Sequence, residues 1–358
     1  MKKFTSEQLR NVGLFSHGGA GKTTLAEAIL FHTGATDRMG KVEEGNTTTD
    51  FDPDEIKRKN SIYLAMAPCE WKNNKINIID TPGFMDFVAE VHSALRVIEG
   101  AVMVASAVSG VEVGLEKVWE YSEKYRLPAI MVVNKMDKEN ANFYKTLDEL
   151  QKLSSSMIAL HLPIGSAENF TGLIDLKIGR AHTFDKGAPK KAEIPKDMEA
   201  KVKEHREKLM EAAAESSDEL IAKYLDQGEI SVAEMKDGIK KGVRARKIVP
   251  VLCSAAFKNM GIPLILDSIV EFIPSPAEIG EITGKNLKTG AEEKRKTEAG
   301  AHLSALVFKT TADPYVGKLS IMRVYSGTLK SDSPIYNSSK EKEEKIGSLM
   351  IIKGKNHE

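Results

Sequence analysis

Three short runs combine residue types and spacings that suit a phosphorylated base. Ser16-His17-Gly18-Gly19-Ala20-Gly21-Lys22-Thr23 keeps the G-x-x-x-x-G-K-[ST] spacing, with serine at the first glycine position, and Thr24 extends it. Small residues there let backbone N–H groups curl around phosphate oxygens. Lys22 brings a positive charge to the β- and γ-phosphates, and Thr23 brings a hard hydroxyl oxygen to magnesium. In Asp80-Thr81-Pro82-Gly83, Asp80 is placed to reach that magnesium through water. Gly83 lacks a side chain, so its N–H can approach the γ-phosphate and swing away when that group leaves. Lys22, Asp80 and Gly83 are therefore the catalytic candidates.

The third run, Asn134-Lys135-Met136-Asp137, suits the base. A carboxylate only accepts hydrogen bonds, so Asp137 matches the N1–H and amino group of guanine, whereas adenine has no donor at N1. Lys135 is expected to stack its stem on the base and Asn134 to tie this loop to the first one. Ser254-Ala255 is expected to add a backbone N–H for guanine O6. The ligands so implied are GTP or GDP with Mg2+.

These runs need strands that end where they begin. Apolar runs at Asn11 to Phe15, Lys75 to Asp80, Gly100 to Ala105, Ala129 to Asn134 and Ile248 to Ser254 read as buried strands. Helical patterns at Phe84 to Ile98, Val111 to Tyr125 and Ile262 to Phe272 alternate with them, which predicts a mostly parallel, doubly wound α/β sheet. Ser61 to Trp71 reads as an edge strand with Ile62, Leu64 and Met66 on its apolar face. From about 158 to 247 the rhythm breaks into a hairpin region and a charged helix with Met198, Val202, Leu209 and Ala213 on one stripe, an inserted subdomain. The charges from Glu199 to Glu219 read as its solvated face. The expected organisation is a nucleotide domain at 1–273, a linker at 274–300 and the start of an antiparallel β-barrel at 301–358.

The bulk numbers agree with a protein of two or three domains: 358 residues at 41% apolar composition. Lysine plus arginine and aspartate plus glutamate both number 51, so no whole-chain electrostatic footprint for nucleic acid or membrane exists. Cys69 and Cys253 make neither a disulfide framework nor a CxxC pair, and after Met1, Lys2 and Lys3 no apolar leader follows. The expectation is a soluble, cytoplasmic monomer with no membrane partner and no sequence-specific nucleic acid. His17, Trp71 and Trp119 read as packed side chains rather than ligand platforms.

Taken together, the three runs in this order resemble the translational GTPases, the elongation factor G family most closely. The likeness extends to Cys253-Ser254-Ala255-Ala256-Phe257-Lys258-Asn259 and to Phe170-Thr171-Gly172-Leu173-Ile174-Asp175 in the insertion, which looks like that family's G′ subdomain. It continues in Ser304-Ala305-Leu306-Val307-Phe308-Lys309 and Asp313-Pro314-Tyr315-Val316-Gly317-Lys318-Leu319, similar to the opening of domain II. The resemblance implies GTP hydrolysis linked to the ribosome. The family's domains III to V have no counterpart in this sequence, which implies that the chain alone does not translocate tRNA.

Two departures stand out. The family carries aspartate where Gly19 stands and, directly after the Asp80 turn, a water-positioning histidine where this chain has Phe84. Its first-switch pattern aligns with Arg58-Lys59-Asn60-Ser61-Ile62, which makes Ser61 the candidate second magnesium hydroxyl, with Thr47, Thr48 and Thr49 as rivals. The departures point to the elongation factor G-like paralogues and imply slow hydrolysis. The alternatives are a GTP/GDP-binding switch with negligible turnover and a ribosome-protection GTPase, the latter expecting histidine at 84.

Overall fold

A computed structural model describes residues 3–313 and 317–357. Pro314, Tyr315 and Val316, from the run likened to domain II, lie outside the described residues, as do Met1 and Lys2. The chain opens with strand β1 (Leu9–Phe15) and helix α1 (Lys22–His32). A short helix, α2 (Pro53–Arg58), precedes β2 (Ala65–Trp71) and β3 (Asn74–Asp80). The alternation continues through α3 (Val88–Leu95), β4 (Gly100–Ser106), α4 (Val113–Lys124), β5 (Ala129–Asn134), α5 (Phe143–Leu153) and β6 (Met157–Ala159).

The insertion follows, with β7 (His161–Ile164), β8 (Gly172–Asp175), β9 (Arg180–Asp185) and β10 (Ala188–Ala192), then α6 (Glu199–Ala214), α7 (Asp218–Gln227) and α8 (Val232–Arg244). β11 (Val249–Cys253) and α9 (Ile262–Phe272) return to the main sheet. That sheet has seven strands in the order β2-β3-β1-β4-β5-β11-β6, and only the β2 pairing is antiparallel. From β1 the chain first adds a neighbour on one side, β3, and then on the other, β4, so the crevice beyond their carboxyl ends is a topological switch point. β4, β5 and β11 are buried along their whole length, which explains their unbroken apolar runs.

Four expectations need correction. The edge strand begins at Ala65, and its buried row is Ala65, Ala67 and Cys69, while Met66 is half-buried. Register with β3 sets that phase, and small side chains let α1 lie close, with Cys69 beside Thr33 at its end. The insertion starts later than 158, because β6 pairs with β11 in the main sheet. Its charged helix buries Val202, Leu209 and Ala213 as expected, but it is one of three, and α8 crosses it so closely that a Cβ on Gly238 would lie 2.4 Å from Ala213 O. The stretch read as a linker is folded into α10 (Pro276–Ile279) and the hairpin β12 (Glu281–Lys285) and β13 (Glu292–Lys296).

Beyond it lie three antiparallel hairpins: β14 (Ser304–Asp313) with β15 (Gly317–Ser326), β16 (Pro334–Asn337) with β17 (Lys342–Lys345), and β18 (Ile352–Lys353) with β19 (Asn356–His357). Among the described residues these hairpins do not join into one sheet. No helix among them is long and apolar enough to cross a membrane.

His161, at the start of β7, is fully buried and neither ring nitrogen has a partner among the described residues. Burial, reinforced by Lys177 and His182, holds its pKa well below the ordinary value. The unfolded chain therefore binds a proton that the fold excludes as pH drops below about 6.5, and stability falls with it. Replacing His161 with Leu should raise the urea midpoint at pH 7.5 and remove about 1 kcal/mol of the stability lost between pH 6.5 and 5.5. Urea titrations of both chains across that range check it.

Candidate nucleotide site

The loop between β1 and α1 places Gly19 and Gly21 at φ +82° and +96°, a region glycine enters without a Cβ penalty. Gly21 caps α1, so the loop opens directly onto a helix amino terminus. Ser16 lies behind it, its hydroxyl bonded to Val104 O on β4. Thr24 sits half-exposed in the first turn of α1. Lys22 is buried and donates from Nζ to His17 O at 2.9 Å. Burial, opposed by Asp80 and Asp50, brings its ammonium down to about 8.

Asp80 ends β3 against this loop. Thr23 Oγ1 donates to its Oδ2 at 2.8 Å, Thr49 Oγ1 donates to the same oxygen at 2.9 Å, and Ser61 Oγ stands 3.2 Å from Thr23 Oγ1. Asp80 Oδ1 is buried with no partner among the described residues. Asp50 is also buried here, and burial with the neighbouring Asp80 charge pushes it up to about 7, against a bond from Ser61. These donors are all hydroxyl and carboxylate oxygens, one of them orphaned, and that chemistry fits Mg2+. Of the other two hydroxyl candidates, Thr47 donates to Asp50 O at 3.3 Å, and Thr48 is held by its amide on Glu27. Thr49 and Ser61 are the two whose hydroxyls meet Asp80 or Thr23.

Gly83 meets the loop almost backbone to backbone. A Cβ there would lie 2.5 Å from Lys22 Nζ and 2.6 Å from both Gly18 N and His17 O, so only glycine fits. The next residue, Phe84, lays its ring over Gly18, where a Cβ would sit 2.9 Å from the ring, and it remains 43% exposed. His17 is packed, as expected, with its Nε2 3.0 Å from Glu112 Oε1. Burial holds that imidazole below its ordinary range in spite of Glu112.

At the other end of the crevice, Asn134 is a buried hub. Its Nδ2 donates to Ala20 O at 3.3 Å, and its Oδ1 accepts from Ser254 Oγ and from the Ala256 amide, both at 3.0 Å. The predicted tie between the two loops is therefore present. Lys135 follows at φ +66° with its stem running back beside Gly21. The Asp137 side chain is 4% exposed, yet its Oδ1 has no partner among the described residues and its Oδ2 lies 4.0 Å from Lys138 Nζ.

The expected amide for guanine O6 is not offered by Ser254 or Ala255. Ser254 N donates to Val133 O at 2.9 Å and Ala255 N to Met260 O at 3.1 Å, because residues 255–260 close a tight turn of their own. Ser254 acts instead through its hydroxyl on Asn134. Sequence reasoning also missed the carboxylates that hold the segment between α1 and β2. Glu55 accepts from the amides of Ile62, Tyr63 and Asp52 at 2.9, 3.0 and 3.1 Å, and Glu27 accepts from those of Gly40 and Thr48 at 3.0 and 2.6 Å. The Asp52-x-x-Glu55 capping spacing was the available signal for the first, and Glu27, inside a helix, gave none.

Comparison with known proteins agrees with this geometry. The family model described as "Elongation factor Tu GTP binding domain" matches residues 7–275, and "Elongation factor G domain 2" matches residues 302–358. A crystal structure of a protein from Thermus thermophilus superposes with a TM-score of 0.86 at 30% sequence identity, covering 98% of this chain and 50% of that one. The chain thus spans about half the length of this solved relative.

Asn134 joins three segments, so its loss should be felt with no ligand present. Replacing Asn134 with Ala leaves the Ser254 hydroxyl and the Ala256 amide buried without acceptors, at a cost of about 2 to 4 kcal/mol. Urea unfolding of the nucleotide-free chain measures it.

Proposed function

This chain belongs to the translational GTPases of the elongation factor G type, and on that premise we propose that it binds GTP and GDP, hydrolyses GTP slowly and works on the ribosome. The observation that carries the reading is a pair of buried carboxylate oxygens without partners among the described residues, Asp137 Oδ1 at one end of the crevice and Asp80 Oδ1 at the other. A buried acceptor left unpaired is costly, and a guanine nucleotide with its cation supplies what each lacks.

Asp137 takes the N1–H and amino group of guanine, while adenine would leave it unpaired. Asn134 holds the base loop against the P-loop, and Lys135 covers the base with its stem. Lys22, whose ammonium is weakened to about 8, regains full charge against the phosphates and steadies the β- and γ-oxygens. Gly83 brings its N–H to the γ-phosphate from a position already touching the P-loop. Thr23, Asp80 and either Ser61 or Thr49 would hold Mg2+, which when bound neutralises charge on the β- and γ-phosphate oxygens.

Phe84 has no atom able to orient or polarise water. That one residue also favours the second reading, a switch that reports GTP or GDP occupancy with almost no turnover. Ribosomes separate the two: single-turnover hydrolysis that rises on adding them supports the enzyme, and no rise supports the bare switch. Binding itself is tested by isothermal titration of the 358-residue chain with GTP, GDP and ATP in magnesium. Replacing Asp137 with Asn should weaken GDP about 10- to 100-fold and leave the weak ATP signal unchanged. Replacing Phe84 with His should raise single-turnover hydrolysis by about 10²-fold, and an unchanged rate would show that residue 84 is not the missing water-positioning group.

A further inference from the structure

The carboxy-terminal hairpins touch the segment between α1 and β2 at both of its ends. Lys353 donates to Ala35 O, just after α1. Gly354 donates from its amide to Met66 O at 2.7 Å, and sits so close to the middle of the segment that a Cβ on it would lie 1.9 Å from Thr48 O. Lys309, on β14, completes the grip. Its Nζ donates to Leu64 O at 2.9 Å and to Glu90 Oε2 on α3 at 2.9 Å, while that same Glu90 oxygen accepts from Leu64 N at 2.7 Å. Both polar backbone groups of Leu64 are thus held by one ion pair, whose side chains are only 13% and 24% exposed. The Lys309 ammonium also lies 5.0 Å from the centre of the Tyr63 ring.

Leu64 is three residues from Ser61, whose hydroxyl meets Thr23. The two amides between them are pinned on Glu55, so little slack separates the hydroxyl at the phosphate end from the backbone held by Lys309. Glu90 in turn stands on the helix that follows Gly83 and Phe84. One lysine of the β region therefore joins both segments that would register the γ-phosphate.

We propose that Lys309 is a positioning residue for nucleotide discrimination: by fixing Leu64 against Glu90 it holds Ser61 facing Thr23, the arrangement GTP uses and GDP does not need. The inference rests on the reading that this crevice takes guanine nucleotides. Charge-assisted bonds largely out of water are strong enough to carry such coupling, and a linkage of this kind is worth roughly 5- to 150-fold in relative affinity.

The test is titration of the full chain with GDP and with a non-hydrolysable GTP analogue, both in magnesium. Lys309→Met should raise the ratio of the analogue's Kd to that of GDP by about five-fold or more. Lys309→Arg should restore it. Glu90→Gln, which keeps an acceptor for Leu64 but removes the charge, should shift the ratio in the same direction and gives the answer should Lys309→Met unfold. Arg323→Met is the control, because it breaks a second ion pair between these regions, with Glu99, away from both segments. An unchanged ratio in Lys309→Met and Glu90→Gln, or an equal shift in Arg323→Met, overturns the inference. Failure of the unsubstituted chain to bind either nucleotide overturns the functional reading beneath it as well.

Discussion

The site is built around buried carboxylates set against a buried ammonium. Asp80 and Asp50 share one pocket with Lys22, the cation whose charge acts on both. The shifts show the cost of that burial: burial and the Asp80 charge move Asp50 up to about 7, while burial moves Lys22 down to about 8. Each group is driven toward its neutral form because burial disfavours its charge by more than its neighbours compensate. A phosphate chain alone would settle Lys22 but add negative charge beside the carboxylates, and a divalent cation alone would settle the carboxylates but compete with Lys22. The two together close the account, so under the proposed reading nucleotide and magnesium are coupled by the electrostatics of this pocket.

Everything else in the fold serves to bring those groups to one place. The loops after β1, β3, β5 and β11 converge because a parallel sheet puts all its carboxyl ends on one side, and the switch point at β1 opens the crevice there. Asn134 then locks three of those loops to one another with a single side chain. The segment from α1 to β2 has no sheet to define it. It is held by carboxylates facing backbone amides, Glu27 from one side and Glu55 from within, and by the contacts of Lys309 and Gly354 from outside. A segment fixed by a few replaceable bonds rather than by a packed core is one that can rearrange.

This division also explains what could be read from the sequence. The convergence of Gly21, Lys22 and Thr23, Asp80 and Gly83, and Asn134 on one crevice was legible because the backbone geometry and the donor chemistry admit few other residues there. The parallel strands were legible because burial on both faces leaves unbroken apolar runs. The phase of β2 was misread because its buried row carries the small residues Ala65, Ala67 and Cys69, and of the large residues expected there only Leu64, just before the strand, is buried. The amides of Ser254 and Ala255 were misassigned because their partners, Val133 and Met260, are set by a strand pairing and a turn that only the folded chain reveals. The hairpin β12–β13 was taken for a linker because its residues are polar and exposed, so its pairing leaves no hydrophobic pattern to detect.

Phe84 and Gly18 show how a chemical departure is accommodated by packing. The phenyl ring rests on the P-loop where a side chain on residue 18 would stand within 3.3 Å of three of its carbons, so the glycine and the aromatic ring occupy one another's space. A ring that covers the loop shields the backbone there from water and adds apolar contact, but it contributes no dipole to the position from which an attacking water must be aimed. Imidazole is smaller than phenyl and would bring ring nitrogens able to donate or accept a hydrogen bond. Under the proposed reading, what residue 84 withholds is one polar atom, since Lys22, Thr23, Asp80 and Gly83 already stand in contact or hydrogen-bond relation to one another at the head of the crevice.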